Sequence, residues 1–318
     1  MPTELKAAAQ AEAERARGLL LRLAGSMDPD VQLEPFDVVQ SLNNRNWVTR
    51  EPTQGVQAVL RIADVTCDPW LGIDRVEEER IARAAADAGL GPTVLAADPV
   101  SGLLLTQLIE GAPWVPNRGG IAALMRLGTA VRTLQALRTT VCTPRGIFER
   151  IRGLLAAAVE LGGLEGSIQR YEDWLHETET HRSATGVQEV VGHNDLWPNN
   201  TLDDGHRLRL VDWEFSGLSD PLYDLATIRL SVDSARIPTA RLLALFGGAG
   251  SNVEITSVED VERMTCAVQL FELGWSGVRH GLAADGGPAP GFDFASHANG
   301  MRRTVDERLE SAWMRWRS

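Results

Sequence analysis

A chain of 318 residues can hold one large or two moderate domains, and 44% hydrophobic with 23% charged residues is the composition of an ordinary soluble globular protein. A formal net charge of −12 argues against a nucleic-acid partner, because phosphate contacts need clustered Lys and Arg. The cysteines Cys67, Cys142 and Cys266 show no metal-ligand spacing, and no apolar run nears the roughly 20 residues needed to span a bilayer.

In chain order, residues 4–24 are rich in Ala, Leu, Glu and Arg and predict a helix. Glu and Arg interrupt its apolar residues, which is not the layout of a cleavable signal peptide. A reduced, cytoplasmic setting with no membrane partner is expected. Strand patterns follow at 36–40 and 47–50, flanking a polar turn at 41–46, and again at 56–62. A charged, Ala-rich stretch at 73–88 predicts a helix, stopped by Gly89-Leu-Gly-Pro92. Residues 94–98 and 102–109 then read as a hairpin around Pro99-Val-Ser-Gly102.

The character changes after Gly111. Residues 119–182 are helical almost throughout, most clearly at 122–137 and 148–161. Short strand pieces at 189–191 and 208–211 interrupt the pattern. Helices resume at 222 and run to the C-terminus, apart from a Gly/Pro-rich loop at 286–291. The expected organisation is an α+β chain in two parts. Residues 1–110 form a small antiparallel sheet with a leading helix and one crossing helix, and residues 111–318 form a larger, mainly helical part.

The chemistry concentrates in His193-Asn-Asp-Leu-Trp-Pro-Asn-Asn200, followed by Leu210-Val-Asp-Trp-Glu214. A turn with an Asp, an Asn five residues later, and a hydrophobic strand ending in a second Asp make a compact site for a metal and a hydroxyl. Hard oxygen donors at this spacing suit Mg²⁺, which takes one or two protein groups and otherwise phosphates and water. A lone His-x-Asp is common in turns; the added Asn200 and Asp212 separate this stretch from that bland case. The other five histidines supply no ligand spacing, which excludes a metallohydrolase centre.

These residues resemble the choline kinase and aminoglycoside phosphotransferase superfamily, whose H-x-D-x-x-x-x-N loop matches at His193, Asp195 and Asn200. The stretch from Asp212-Trp-Glu-Phe-Ser-Gly to Asp220-Pro-Leu-Tyr-Asp-Leu-Ala226 is similar to one in choline-kinase-like proteins almost residue for residue. The resemblance implies a two-lobed, protein-kinase-like fold and a kinase using ATP and Mg²⁺ on a small hydroxyl-bearing acceptor. It implies that Asp195 orients the acceptor hydroxyl and takes its proton, His193 braces the loop, and Asn200 and Asp212 hold Mg²⁺. Asp224 would buttress the loop. Eleven residues between Asp212 and Asp224 leave no room for an activation segment, so a protein substrate is not expected.

By the same resemblance the N-terminal part holds ATP. Arg61 occupies the strand position of the phosphate-binding basic residue, with Glu78 as partner on the crossing helix, although Glu77 and Glu79 are adjacent. The loop containing Ser41, Asn43, Asn44 and Asn46 resembles the phosphate loop, and the backbones of Gln107 and Ile109 stand where the adenine hinge lies. Taken alone, these would read as a surface charge and a hairpin turn.

For the acceptor, choline kinases use an aromatic cage with acidic neighbours. Here Trp275, Phe292 and Phe294 keep aromatic character, while Glu272 and His297 stand at or near positions that are aromatic in that family. Core packing is the alternative role for these rings. Asp220 is a candidate contact for a cationic acceptor, or a cap for the next helix. An amino alcohol of the choline/ethanolamine type is therefore the expected acceptor. The alternative is an antibiotic (aminoglycoside, macrolide or nucleoside) modified by the same catalytic loop.

Overall fold

Adjacent residues of a strand face opposite sides of a sheet, and this sends Leu60 and Arg61 into different surroundings. In a computed structural model, which describes residues 14, 16–22, 32–35, 43–50, 57–116, 120–138, 146–232, 237–246, 257–283 and 292–316, both lie in β3 (Gln57–Ala63). Leu60 packs with Trp47, Ala58 and Leu105 against Ala16 and Leu20 of a helical segment at 16–22, α1. That segment belongs to the predicted N-terminal helix, and it covers one face of the sheet. Arg61 points to the other face, where a second helix crosses.

The sheet is antiparallel with five strands, β1 (Gln32–Pro35), β2 (Asn44–Arg50), β3, β4 (Val94–Asp98) and β5 (Leu103–Gln107), in the order β1-β2-β3-β5-β4. Between β3 and β4 lie a short helix α2 (Asp68–Leu71) and the crossing helix α3 (Arg75–Asp87). The side chain of Asp74 caps α3 by accepting from the Val76 and Glu77 N–H groups, and the first helical turn brings Glu78 to Arg61 of β3. The strand expected at 36–40 lies outside the described residues, and the first described strand precedes it. Residues 44–46 of the expected turn belong to β2, whose Asn44 pairs with Ala63.

After β5 the chain enters β6 (Ala112–Pro113), which pairs with β8 (Thr201–Asp203), itself paired with β9 (Leu208–Leu210). A third pairing joins β7 (Val190–Gly192) to β10 (Gly217–Ser219). β6, β8 and β10 were not anticipated, since two or three residues carry no readable period. The remaining elements are helices: α4 (Gly120–Gln135), α5 (Ile147–Glu160), α6 (Gln169–Ala184), α7 (Tyr223–Ser231), α8 (Thr239–Phe246), α9 (Val258–Leu282) and α10 (Phe294–Trp316). No helix among the described residues is long and apolar enough to cross a membrane.

Helix α9 is buried along nearly all its length, and its contact with α5 and with the turn that follows α5 is unusually close. A Cβ on Gly163 would lie 1.8 Å from the Gly277 carbonyl oxygen, and one on Gly277 would lie 2.7 Å from Ala158 Cβ. A Cβ on Gly274 would lie 2.8 Å from Leu154 Cβ. Gly163→Ala is expected to destabilise the protein by about 1–3 kcal/mol through overpacking, read as a lower urea midpoint. An unchanged midpoint would show that the helices separate at no cost.

Candidate active site

A cleft of about 760 Å³ opens between the five-stranded sheet and the helical part, and the segment 193–200 crosses its floor. Strand β7 delivers the chain to His193. Asn194 then takes a left-handed conformation (φ 61°), as does Asp212 (φ 66°), an unfavourable state for a residue with a side chain. What holds the turn is Asp224 at the start of α7. Its carboxylate accepts hydrogen bonds from the His193 and Asn194 N–H groups, both at 2.9 Å. Asn194 Nδ2 adds a bond to the Phe215 carbonyl at 3.0 Å. His193 is fully buried behind the cleft, with Nε2 3.0 Å from the Val211 carbonyl and its ring against Trp213.

Asp195, Asn200 and Asp212 all line the cleft. Asn200 Nδ2 donates to the Asp195 carbonyl at 2.9 Å and to Asp195 Oδ2 at 2.6 Å, fixing the carboxylate. Burial pushes the Asp195 carboxyl well above the usual range, helped by the charges of Glu272, Asp212 and Glu214. Burial and the neighbouring Glu214 charge raise Asp212 as well. Asp212 Oδ1 is buried without a hydrogen-bond partner. An orphaned carboxylate oxygen beside an Asn side chain fits Mg²⁺, a hard cation that takes few protein donors. Among the described residues no group of three or more His, Cys, Asp or Glu is placed to hold a metal ion.

Above this floor lies a buried ion network. Arg61 and Glu78 pair in two-pronged fashion, with Nη2–Oε2 at 2.9 Å, and both line the cleft. Arg75 grips Asp68 through Nε and Nη2 at 2.8 and 2.6 Å. Its Nη1 reaches Glu78 at 3.0 Å and Glu214 at 3.1 Å. Asn43 and Asn44 also donate to Glu214, at 2.7 and 2.9 Å, and Asn43 Oδ1 accepts from Trp275 Nε1 at 3.3 Å. Burial opposes ionisation of Glu214, but Arg75, Arg61 and the two Asn donors hold its carboxyl below the usual range.

The remaining walls are a strand end and an aromatic cluster. Gln107 and Ile109 line the cleft. The Gln107 N–H is taken by the Thr93 carbonyl and the Leu108 N–H by that of Gln57, while the Ile109 N–H has no partner among the described residues. On the other side Trp275, Phe292 and His297 line the cleft, with Phe294 behind them. Trp275 and Phe294 meet edge to face at 5.7 Å, and Phe292 lies 4.7 Å from Phe294 and 5.5 Å from His297. Glu272 lines the same wall and accepts from Trp197 Nε1 at 3.3 Å.

A family model described as "Phosphotransferase enzyme family" matches residues 38–256, more than half of the chain. This chain belongs to the phosphotransferase enzyme family. Protein LicA of Haemophilus influenzae is 27% identical over 208 residues, 61% of this chain and 57% of that relative, so the chain spans little more than half the relative's length. Among solved structures, the choline/ethanolamine kinase family protein from Mesorhizobium loti is 23% identical, with 93% and 94% of the two chains covered and a TM-score of 0.68. Choline kinase LicA from Streptococcus pneumoniae is 18% identical, with 95% and 99% covered and a TM-score of 0.73. The fold shared with them is the two-lobed, kinase-like α+β class expected from the sequence.

In this phosphotransferase the predicted residues do not all reach the cleft. Asn43, Asn46, Arg61, Glu78, Gln107, Ile109, Asp195, Asn200, Asp212, Glu272, Trp275 and Phe292 line it. Ser41 lies outside the described residues. Asn44 and His193 stand behind the lining, as does Phe294, packed on Trp275. Asp220 is buried, takes both prongs of Arg182 and accepts from the Leu222 N–H, so its carboxylate serves the start of α7 and not the cleft. Sequence reasoning passed over Glu214, Arg75 and Trp197. The signal available was the motif for Glu214 and the aromatic inside the loop for Trp197; Arg75 offered none.

Burial lowers the His193 pKa to about 4, which keeps the ring neutral. Between pH 6.5 and 4 the unfolded chain therefore takes up a proton that the folded chain refuses, and stability falls with falling pH by up to about 1.4 kcal/mol per unit. Asp224, raised to about 6 by burial, works in the opposite sense. Comparing urea midpoints of the protein and His193→Asn across that window isolates the histidine. The variant is expected to lose less stability per pH unit on acidification than the unaltered protein, and equal slopes would refute the assignment.

Proposed function

We propose that this phosphotransferase moves the γ-phosphoryl group of ATP to the hydroxyl of a small amino alcohol of the choline/ethanolamine type. The observation that supports the reading is one cleft lined together by Asp195, Asn200, Asp212 and the Arg61–Glu78 ion pair. Phosphoryl transfer asks a protein for in-line placement and charge neutralisation more than for covalent chemistry. On this reading the adenine edge lies on the Gln107 carbonyl and the Ile109 N–H, and Arg61, oriented by Glu78, meets the phosphates. Asn200 and Asp212 hold Mg²⁺, which when bound neutralises charge on the phosphate oxygens. Asp195 positions the acceptor hydroxyl and takes its proton as the oxygen bonds phosphorus and the bond to the ADP oxygen breaks.

The acceptor class rests on the wall of Trp275 and Phe292 with the Glu272 carboxylate, since aromatic faces and an anion together suit an organic cation. An ADP-release assay with Mg-ATP tests this against choline, ethanolamine, aminoglycosides, a macrolide and a nucleoside antibiotic. Turnover of an amino alcohol is the expected result. Turnover confined to antibiotics would overturn the reading and make the enzyme one of drug modification.

A further inference from the structure

Glu272 differs from the other glutamates lining the cleft. Glu78 and Glu214 are each matched by an arginine. Glu272 is paired with no cation among the described residues, and its sole described side-chain bond is the one from Trp197 Nε1 to Oε1. Glu272 lines the cleft beside Trp275 on the next turn of α9, and no hydrogen bond to its Oε2 is described. Burial lowers the His297 pKa below the ordinary value, which disfavours its cationic form.

The position of Glu272 relative to the reacting centre is also fixed. Trp197 belongs to the segment that carries Asp195, two residues on, and its indole ties that segment to Glu272. After burial, Glu272 is the largest charge influence on Asp195. Both side chains line the same cleft, and although burial raises the Glu272 carboxyl to about 7, a bound ammonium group would favour its anion.

From this placement, and resting on the function proposed above, we infer that Glu272 selects an acceptor whose ammonium group still carries N–H bonds, joined to its hydroxyl by a short tether. A primary ammonium donates to Oε2 and to one more acceptor or water while its alkyl face lies on Trp275. A quaternary ammonium keeps the attraction to the rings but cannot donate, so Oε2 would lose a water without a replacement. An unmade hydrogen bond to a charged group in a water-poor site lowers binding by about tenfold or more. Glu272 is thus a specificity residue.

The test compares kcat/KM for ethanolamine, its N-methyl and N,N-dimethyl derivatives, and choline, in the enzyme and in Glu272→Gln. The series in the unaltered enzyme is expected to fall by about tenfold at the last methyl, which removes the last N–H. In Glu272→Gln the KM for ethanolamine is expected to rise by about 30-fold or more and that for choline by a smaller factor, so the preference for ethanolamine over choline shrinks. ATP affinity and the melting temperature serve as folding controls. Choline used as well as or better than ethanolamine would overturn the inference and leave the proposed function standing. An unchanged ethanolamine KM in Glu272→Gln would do the same. Failure of every amino alcohol, with an antibiotic turned over, would overturn both.

Discussion

Asp195→Asn is expected to lower kcat by about 10²- to 10⁴-fold while leaving ATP affinity within a few-fold of the original. The substitution keeps the shape of the side chain, so what it removes is the charge and the basic oxygen. Asp195 sits in the cleft between Asn200, which fixes one of its oxygens at 2.6 Å, and the carboxylates of Asp212 and Glu272. No contact of Asp195 leads to Arg61, Glu78 or the strand end at Gln107, so nucleotide binding should persist. Nucleotide titration calorimetry and the ADP-release assay measure the two quantities separately. Equal loss of ATP binding and turnover would show that Asp195 organises the nucleotide and does not serve the acceptor. Retained turnover would remove Asp195 from the reaction.

Arg75→Met is expected to destabilise the protein by about 3–5 kcal/mol, because breaking a buried ion pair from one side leaves its partners uncompensated. Arg75 serves three carboxylates at once: Asp68 at 2.6 Å, Glu78 at 3.0 Å and Glu214 at 3.1 Å. Its side chain is 6% exposed, so water offers little relief. The loss should reach activity too. Glu214 is the acceptor that Asn43 and Asn44 share, and Glu78 is the partner of Arg61. Urea unfolding gives the stability, and the KM for ATP gives the second effect. A change in unfolding free energy below about 1 kcal/mol would mean that the neighbouring arginine and asparagines replace Arg75 unaided.

The parts of this molecule that were legible in the sequence are local ones. The helix of 75–87 announced itself by its composition, a period and a Gly/Pro stop, and the hairpin around residue 100 by its turn residues. The segment 193–200 was legible because a phosphoryl-transfer site compresses its polar groups into one loop and one strand end. Glu214 was visible as a letter of the same motif but not as a hub. Its partners Asn43 and Arg75 are far away along the chain, and only folding brings them together. Asp220 shows the converse. Its position suggested either the acceptor or the start of the next helix, and the fold gives the second: Arg182, on a helix with no motif, and the Leu222 N–H take its carboxylate. The strands β6, β8 and β10 were illegible because their pairing is set by tertiary contacts and not by alternation.

The glycine contact between α5 and α9 bears on how the acceptor range can change. Glu272 and Trp275 both ride on α9, and the backbone of that helix touches its neighbour with no side chain as cushion. Such a wall can be repainted but not moved. A lineage of these enzymes acquiring a bulkier acceptor would therefore exchange the side chains at 272 and 275, or rebuild the opposite rim around Phe292 and His297. The helix itself would keep its place, and selection for new substrates should leave Gly163, Gly274 and Gly277 untouched.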